Sequence, residues 1–300
     1  MKYDIITAGA GIAGLTAAIY ARRAGKSVLC LEKNNIGGQI NDSPLVENFP
    51  AVPNVSGFDL AAKLAEQAES LGAEFESCEV LSAEKTPDGF RLDTDCGEYE
   101  CARLIIATGV HHRGLGLANE EDLVGAGLSF CAVCDGAFYK GQDVAIVGGG
   151  DTALGDAVYL SDVCETVYLI HRRDEFRAAK AIIDRAKSRG NIKMLLSYTP
   201  EEYLTENGEI AGLRLRNLRT GETEDLSVPG VFLAVGFSPD NSAFAGLVDL
   251  DERGFIIAGE DTKTSCPGVY AAGDCRTKSV RQLTTAAADG TVAALAAVNE

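Results

Sequence analysis

Two stretches of the chain repeat one arrangement of apolar, small and polar positions. In "YDIITAGAGIAGLTAAIYARRAGKSVLCLEK" an apolar run meets Gly9-x-Gly11-x-x-Gly14, continues into an alanine-rich segment to about Arg23, and closes on a second apolar run ending at Glu32. In "QDVAIVGGGDTALGDAVYLSDVCETVYLIHRR" the same order recurs around Gly148-x-Gly150-x-x-Ala153, with a helical segment to about Leu160 and an apolar run entering His171-Arg172-Arg173. Each pattern predicts a strand, a helix and a second parallel strand, that is, a βαβ unit. Between them, alternation in "EFESCEVLSAEKTPDGFRLDTDCGEYECARLIIATG", with a turn at Pro87-Asp88-Gly89, predicts an antiparallel meander returning to a strand that ends near Thr108-Gly109. A comparable pattern, "IAGLRLRNLRTGETEDLSVPGVFLAVG", follows the second unit. Beyond Gly236 the chain runs through "GVYAAGDC" into an alanine-rich helix from about Gln282. That tail has a strand without a partner of its own, so it is expected to pack back on one of the two units.

The glycine loops acquire chemical meaning from this context, because each follows an apolar strand and opens a helix. Gly9 and Gly148 suit the tight turn, Gly11 and Gly150 let the backbone approach a pyrophosphate, and Gly14 or Ala153 allow close packing of helix on strand. The free N–H groups at the helix start then favour an anion. The ends of the second strands sort the ligands. Glu32 suits the 2′-hydroxyl of a ribose and would repel a 2′-phosphate, as FAD or NAD requires. Arg172 and Arg173, with Arg177 further on, offer guanidinium forks for a phosphate, as NADPH requires. The alternative for "HRRDEFR" is a solvated helix start with charge pairs along one face.

Composition narrows the field. A hydrophobic content of 46% with 24% charged residues over 300 positions is globular and large enough for about two domains. A net charge of −17, from 44 acids against 27 bases, disfavours nucleic acid or an anionic membrane surface as a partner. The first glycines arrive within nine residues of the start, so no secretory leader is expected. No apolar run approaches the roughly 18 to 20 residues that cross a bilayer. Nine scattered cysteines point to a reducing, cytoplasmic setting.

In such a setting the pair in "SFCAVCDGAF", Cys131 and Cys134, is a candidate redox disulfide or half of a metal site. A metal needs about four ligands, usually a second Cys-x-x-Cys or two closely spaced histidines. The chain offers only His111, His112, His171 and Cys96-x4-Cys101, so no metal is expected. Cys96 and Cys101 flank a predicted turn and read as small buried groups, and Cys30, Cys78, Cys164, Cys266 and Cys275 read as packing residues. If Cys131 and Cys134 open a short helix, they are neighbours one turn apart, and the helix start stabilises a thiolate. Asp135 suits a general acid or base, or simply a carboxylate complementing the helix dipole.

The combination of two glycine loops with "HRRDEFR" and "CAVCDGAF" resembles the low-molecular-weight thioredoxin reductases of bacteria, over essentially the full length. "IGGQI" at 36–40, "VENFP" at 46–50, "IIATG" at 105–109, "GGGDTA" at 148–153, "GVYAAGDC" at 268–275 and "RQLTTAAADG" at 281–290 support the likeness. "GIAG", "FPA" and the "HHR" of 111–113 depart from it, the last at the expected hinge. The resemblance implies an α/β protein of two Rossmann-like, three-layer ββα domains. An FAD domain of residues 1–113 and 241–300 would carry an inserted NADPH domain of 114–240. Gly9, Gly11, Gly14, Glu32, Gly38, Gln39, Asn48, Thr108, Gly109, Asp274, Arg281 and Gln282 would hold FAD. Gly148, Gly150, Asp151, Thr152, Ala153, His171, Arg172, Arg173 and Arg177 would hold NADPH. Cys134 would face the flavin, Cys131 would attack a thioredoxin or thioredoxin-like protein, and Asp135 would serve the proton. The implied enzyme is a homodimeric thioredoxin-disulfide reductase whose NADPH domain rotates about linkers near 111–115 and 237–243. Within this fold the alternatives are NADH or ferredoxin as donor, or a glutaredoxin-like acceptor. A flavin-bound redox sensor without turnover is a further one, and an oxidase of this fold would not need the cysteine pair.

Overall fold

The computed structural model describes residues 2–43, 45–52 and 54–300. The chain divides into two compact units, residues 1–111 with 238–300, and residues 112–237.

In the first unit strand Lys2–Ala8 lies between Val28–Glu32 and Gly97–Ile106, all parallel. Glu74–Ser77 joins the outer side of Val28–Glu32, and Val269–Ala271 pairs with Gly97–Ile106. Ile5-Ile6, Val28–Leu31 and Leu104–Ile106 read as apolar runs because both faces are covered there. Ile5, Cys30 and Ile105 pack against helices Ile12–Arg23 and Leu283–Asn299, while Ile6, Leu29, Leu104 and Ile106 join Phe244 and Val269 on the other face. The alanine and glycine content of the two helices lets them approach closely. A Cβ at Gly290 would collide with the Ala13 carbonyl. The tail thus supplies both a strand and a covering helix to this unit.

The expected meander is shorter than the alternation suggested. Val80–Thr86, Gly89–Thr94 and the first half of Gly97–Ile106 do pair antiparallel. Glu74–Ser77, however, runs parallel to Val28–Glu32. Helix Gly57–Ser70, capped by Ser56, whose hydroxyl accepts the Asp59 N–H at 3.0 Å, is the crossover that brings this strand back in the same direction.

The second unit is a ββα sandwich. Its parallel sheet runs Ile192–Leu196, Val167–His171, Val144–Gly148, Gly230–Ala234, Leu128–Ser129. Leu154 and Val158 of helix Asp151–Ser161 and Ala186 of helix Lys180–Lys187 cover one face, with Val144, Ile146 and Leu169 beneath them. On the other face Tyr203, Leu213 and Leu215, from the antiparallel strands Tyr198–Glu206 and Glu209–Asn217, meet Val147, Ile170 and Leu233. The residues from Arg172 to Ala179 form bends and irregular backbone, and the helix starts only at Lys180. This removes the alternative of a helical charge-paired face for "HRRDEFR".

Candidate functional site

In the first unit Gly9 adopts φ +106°, and a Cβ there would collide with the Ala107 carbonyl. At Gly14 a Cβ would strike the Gly9 carbonyl, so these two glycines hold helix against strand. Gly11, by contrast, faces open space, with the Gly37 carbonyl as nearest neighbour at 3.7 Å from a Cβ position. Gly38 lies beside Gly11, at the start of the 3-10 turn Gly38–Asp42. In the same turn Gln39 donates through Nε2 to the Val110 carbonyl at 2.5 Å. The Glu32 carboxylate ends its strand at this loop, accepting the Ala10 N–H at 2.8 Å and the Asn34 N–H at 3.0 Å. Thr108 donates through Oγ1 to Asn241 Oδ1 at 2.8 Å, and Gly109 turns the chain with φ +70°.

The tail returns to this loop, since a Cβ at Gly273 would lie 2.9 Å from the Ala13 methyl. Asp274 follows. Its Oδ1 is buried without a hydrogen-bond partner, and burial pushes the carboxyl up to about 6, against the pull of Lys278 and Arg281. The Arg281 guanidinium stacks 4.5 Å over the Phe255 ring and donates to the Asp274 carbonyl at 3.4 Å. Gln282 caps helix Leu283–Asn299 and accepts from Asn48 Nδ2 at 3.4 Å. Sequence reasoning missed the support beneath this turn. Asp289 is buried and accepts the Gly273 N–H at 3.0 Å, Arg276 Nε and Nη2 at 2.9 and 2.8 Å, and Lys278 Nζ at 2.9 Å. The one available signal was an aspartate in an otherwise alanine-rich helix.

In the second unit a Cβ at Gly148 would meet the Ala153 methyl and the Ala234 carbonyl, whereas nothing lies within 4 Å of a Cβ at Gly150. Asp151 opens the helix and accepts the Ala179 N–H at 2.8 Å, and Arg177 donates its backbone N–H to the Gly149 carbonyl at 2.8 Å. These two bonds fix the arginine segment against the loop. Thr152 is exposed on the first helical turn. Arg172, Arg173 and Arg177 are exposed, and no described residue pairs with their guanidinium groups. Asp174 turns away, to Arg219 at 2.6 Å and to Ser197. His171 lies beneath the loop rather than at its surface. It is buried, stacks on Phe176 at 5.4 Å, and meets the Glu175 carbonyl through Nε2 at 3.1 Å.

The cysteine pair belongs to the same unit. Cys131 caps the single-turn helix Ala132–Asp135 and is disulfide-bonded to Cys134, with the Cα atoms 5.2 Å apart. Ser129, also missed by sequence reasoning, joins cysteine to acid. Its hydroxyl accepts the Cys131 N–H at 3.0 Å and donates to Asp135 Oδ2 at 2.6 Å. Burial raises the Asp135 carboxyl above the ordinary range, and the Ser129 bond offsets only part of that. Val133 and Phe138 are exposed on either side of Cys134. One cysteine reading needs correction. Cys96 is exposed rather than a small buried group, and its sulfur neighbour is Cys78 instead of Cys101.

These features fit two dinucleotides. The open faces at Gly11 and Gly150 leave room for a pyrophosphate, the orphaned Asp274 oxygen lacks a partner that a ligand hydroxyl would supply, and the unpaired arginines suit a 2′-phosphate. No helix of the described residues is long and apolar enough to cross a membrane. The family model described as pyridine nucleotide-disulphide oxidoreductase matches residues 3–290. A thioredoxin reductase of Listeria monocytogenes is 38% identical over 291 residues, 97% of this chain and 91% of the relative. A bifunctional thioredoxin reductase/thioredoxin of Mycobacterium leprae is 40% identical over 298 residues, 98% of this chain and 64% of the relative. The solved thioredoxin reductase from Streptococcus pyogenes superposes with a TM-score of 0.94 at 37% identity, covering 99% of this chain and 97% of the other.

Proposed function

The chain belongs to the pyridine nucleotide-disulphide oxidoreductases, among the low-molecular-weight thioredoxin reductases, and from that premise we propose that its Cys131–Cys134 pair delivers electrons from NADPH to a thioredoxin. The observation that carries the assignment is a disulfide in the same unit as an open glycine loop with three unpaired arginines, beside an acid whose burial favours its protonated form. FAD and NADPH are the cofactors, and FAD supplies the step between a hydride donor and a disulfide. Gly9, Gly11, Gly14, Glu32, Gly38, Gln39 and Asp274 would hold FAD, with Thr108, Gly109, Asn48, Arg281 and Gln282 around it. Gly148, Gly150, Asp151, Thr152, Ala153, Arg172, Arg173 and Arg177 would hold NADPH, with His171 supporting the loop from below.

The chain's own residues then perform thiol exchange. With the pair reduced, the Cys131 thiolate attacks one sulfur of the partner disulfide, and the partner's other sulfur leaves as a thiolate. Cys134 attacks Cys131 in turn, which frees the partner as a dithiol and restores the internal disulfide. Asp135 holds a proton close to these sulfurs, and Ser129 keeps its carboxyl oriented. Val133 and Phe138 give the partner an apolar border around the pair. The names of the relatives support thioredoxin as the acceptor, and the fused domain of the Mycobacterium leprae protein adds to that support. The proposal extends to a homodimer working in the cytoplasm, where cysteines outside the redox pair rest as thiols, as the seven others do in this structure. Cys131→Ser is expected to keep flavin reduction by NADPH, followed as bleaching of flavin absorbance, while thioredoxin turnover is lost. Thioredoxin reduction at the parent rate by this variant would refute the assignment.

A further inference from the structure

We propose that Cys78 and Cys96 form a second thiol–disulfide couple, at the edge of the first unit's sheet, that hydroperoxides oxidise and that is separate from Cys131–Cys134. The end of the hairpin brings the two side by side. Val80 is the partner of Thr94, and one step out the Asp95 N–H bonds to the Glu79 carbonyl at 3.2 Å and the Glu79 N–H to Asp95 Oδ1 at 2.9 Å. Beyond these bonds Cys78, in the loop before Val80, comes beside Cys96, in the turn between Thr94 and Gly97. Both sulfurs and an Asp95 oxygen lie within 4.8 Å of one another.

The two thiols are chemically unlike, and in the way an attacking and a resolving cysteine need to be. Cys96 is exposed, and its sulfur lies 3.5 Å from Thr94 Oγ1 and 3.7 Å from Tyr99 Oη. Hydrogen bonding by Thr94, then by Cys78, lowers its thiol below the ordinary range. Cys78 is buried at 3% exposure, and burial pushes its thiol up, so it stays protonated until its neighbour has reacted. The steps balance. The Cys96 thiolate attacks a peroxide oxygen, the O–O bond breaks, the departing oxygen leaves as water or an alcohol after taking a proton, and Cys96 becomes a sulfenic acid. Cys78 gives up its proton, its sulfur bonds to Cys96, and the sulfenic oxygen departs as water. Two thiols have lost two electrons and the peroxide has gained them. A small dithiol reverses the change by exchange. The bond would tie the turn at 95–97 to the residue whose N–H bonds to the Glu32 carbonyl at 3.0 Å, next to the loop assigned to FAD.

The test is peptide mapping of the whole protein after hydrogen peroxide treatment, with free thiols alkylated before digestion. Cys131–Cys134 serves as the internal standard. A Cys78–Cys96 linked peptide, two hydrogens lighter than its reduced components and abolished by dithiothreitol, supports the couple. In Cys78→Ser the expected product is a dimedone adduct on Cys96, whereas in Cys96→Ser, Cys78 stays an unreacted thiol. Three outcomes would overturn the proposal: both thiols alkylated in full after treatment; Cys96 carried to the sulfinic acid while Cys78 stays free; or zinc ions, given alone, bound to both sulfurs and shielding them from peroxide. The mapping does not depend on turnover, so failure of the thioredoxin reductase assignment would leave a different signature.

Discussion

Replacing Asp289 with alanine removes the acceptor that two buried cations share. Arg276 is 2% exposed, and the Lys278 side chain is 5% exposed. Taking away one partner of a buried pair costs about 3–5 kcal/mol, because a charge is left without its counter-charge. The loss here belongs at the lower end. Arg276 keeps the Ala258 and Thr277 carbonyls at 3.3 and 3.1 Å, and Lys278 has Asp274 3.9 Å away. About 3 kcal/mol in a unit of this size lowers Tm by roughly 6–12 °C. The assay is thermal unfolding followed by flavin release and by circular dichroism. Flavin release is expected to move with unfolding, because the Gly273 N–H loses the same carboxylate. A triple substitution, Asp289→Leu with Arg276→Met and Lys278→Met, is expected to recover much of the loss, since apolar groups of similar volume often replace a buried charge cluster without cost. The pH dependence has a definite sign. Burial alone would raise the Asp289 carboxyl, but Arg276 and Lys278 outweigh it and hold the group below the ordinary carboxylate range. Its contribution is therefore complete above the ordinary value and disappears as pH falls through the depressed one. An Asp289→Ala protein that melts with the parent would refute the reasoning.

Two further outcomes follow from the second unit. Replacing Arg172, Arg173 and Arg177 together with alanine is expected to cut kcat/KM for NADPH on the order of a hundredfold while leaving NADH unaffected, because only the 2′-phosphate loses its forks; equal losses with both nucleotides in steady-state assays would refute the assignment. Asp135→Asn is expected to lower thioredoxin turnover on the order of a hundredfold, the lower range for a lost general acid or base, with NADPH-driven flavin reduction preserved. In the parent, activity that needs the proton falls as pH rises through the raised Asp135 value, and a pH–rate profile in which Asp135→Asn keeps that descending limb would exclude the role.

The two βαβ units and both loops were legible because a strand covered on two faces and a glycine-opened helix leave local signals, visible at Ile5-Ile6 and at Gly9 or Gly148. The course of Glu74–Ser77 was not legible. Its alternation resembles that of the hairpin after it, and only the crossover helix Gly57–Ser70 decides its direction. The arginine trio was readable as residues, but its freedom from partners depends on Asp174 turning to Arg219 and Ser197, more than twenty residues away in the chain. Ser129 was hidden for a similar reason. A serine two positions before Cys131 says nothing until the turn folds its hydroxyl between the Cys131 N–H and Asp135. The Arg276–Asp289–Lys278 cluster joins a loop to a helix, a relation that periodicity does not carry. Cys78 and Cys96 were missed as a pair because their proximity depends on a loop meeting a turn at the end of the hairpin rather than on spacing.

The inserted unit runs from His112 to Phe237, and one step inside its ends the Arg113 N–H donates to the Gly236 carbonyl at 3.0 Å. A module whose two ends touch can be placed into a host chain at a single surface point, with the host losing only one short connection and none of its pairings. The host's strands before and after the insertion, Gly97–Ile106 and Val269–Ala271, still find each other as neighbours. Its ancestry is thus open to a cassette-like exchange, in which nucleotide preference and the electron exit travel together while the flavin scaffold stays unchanged.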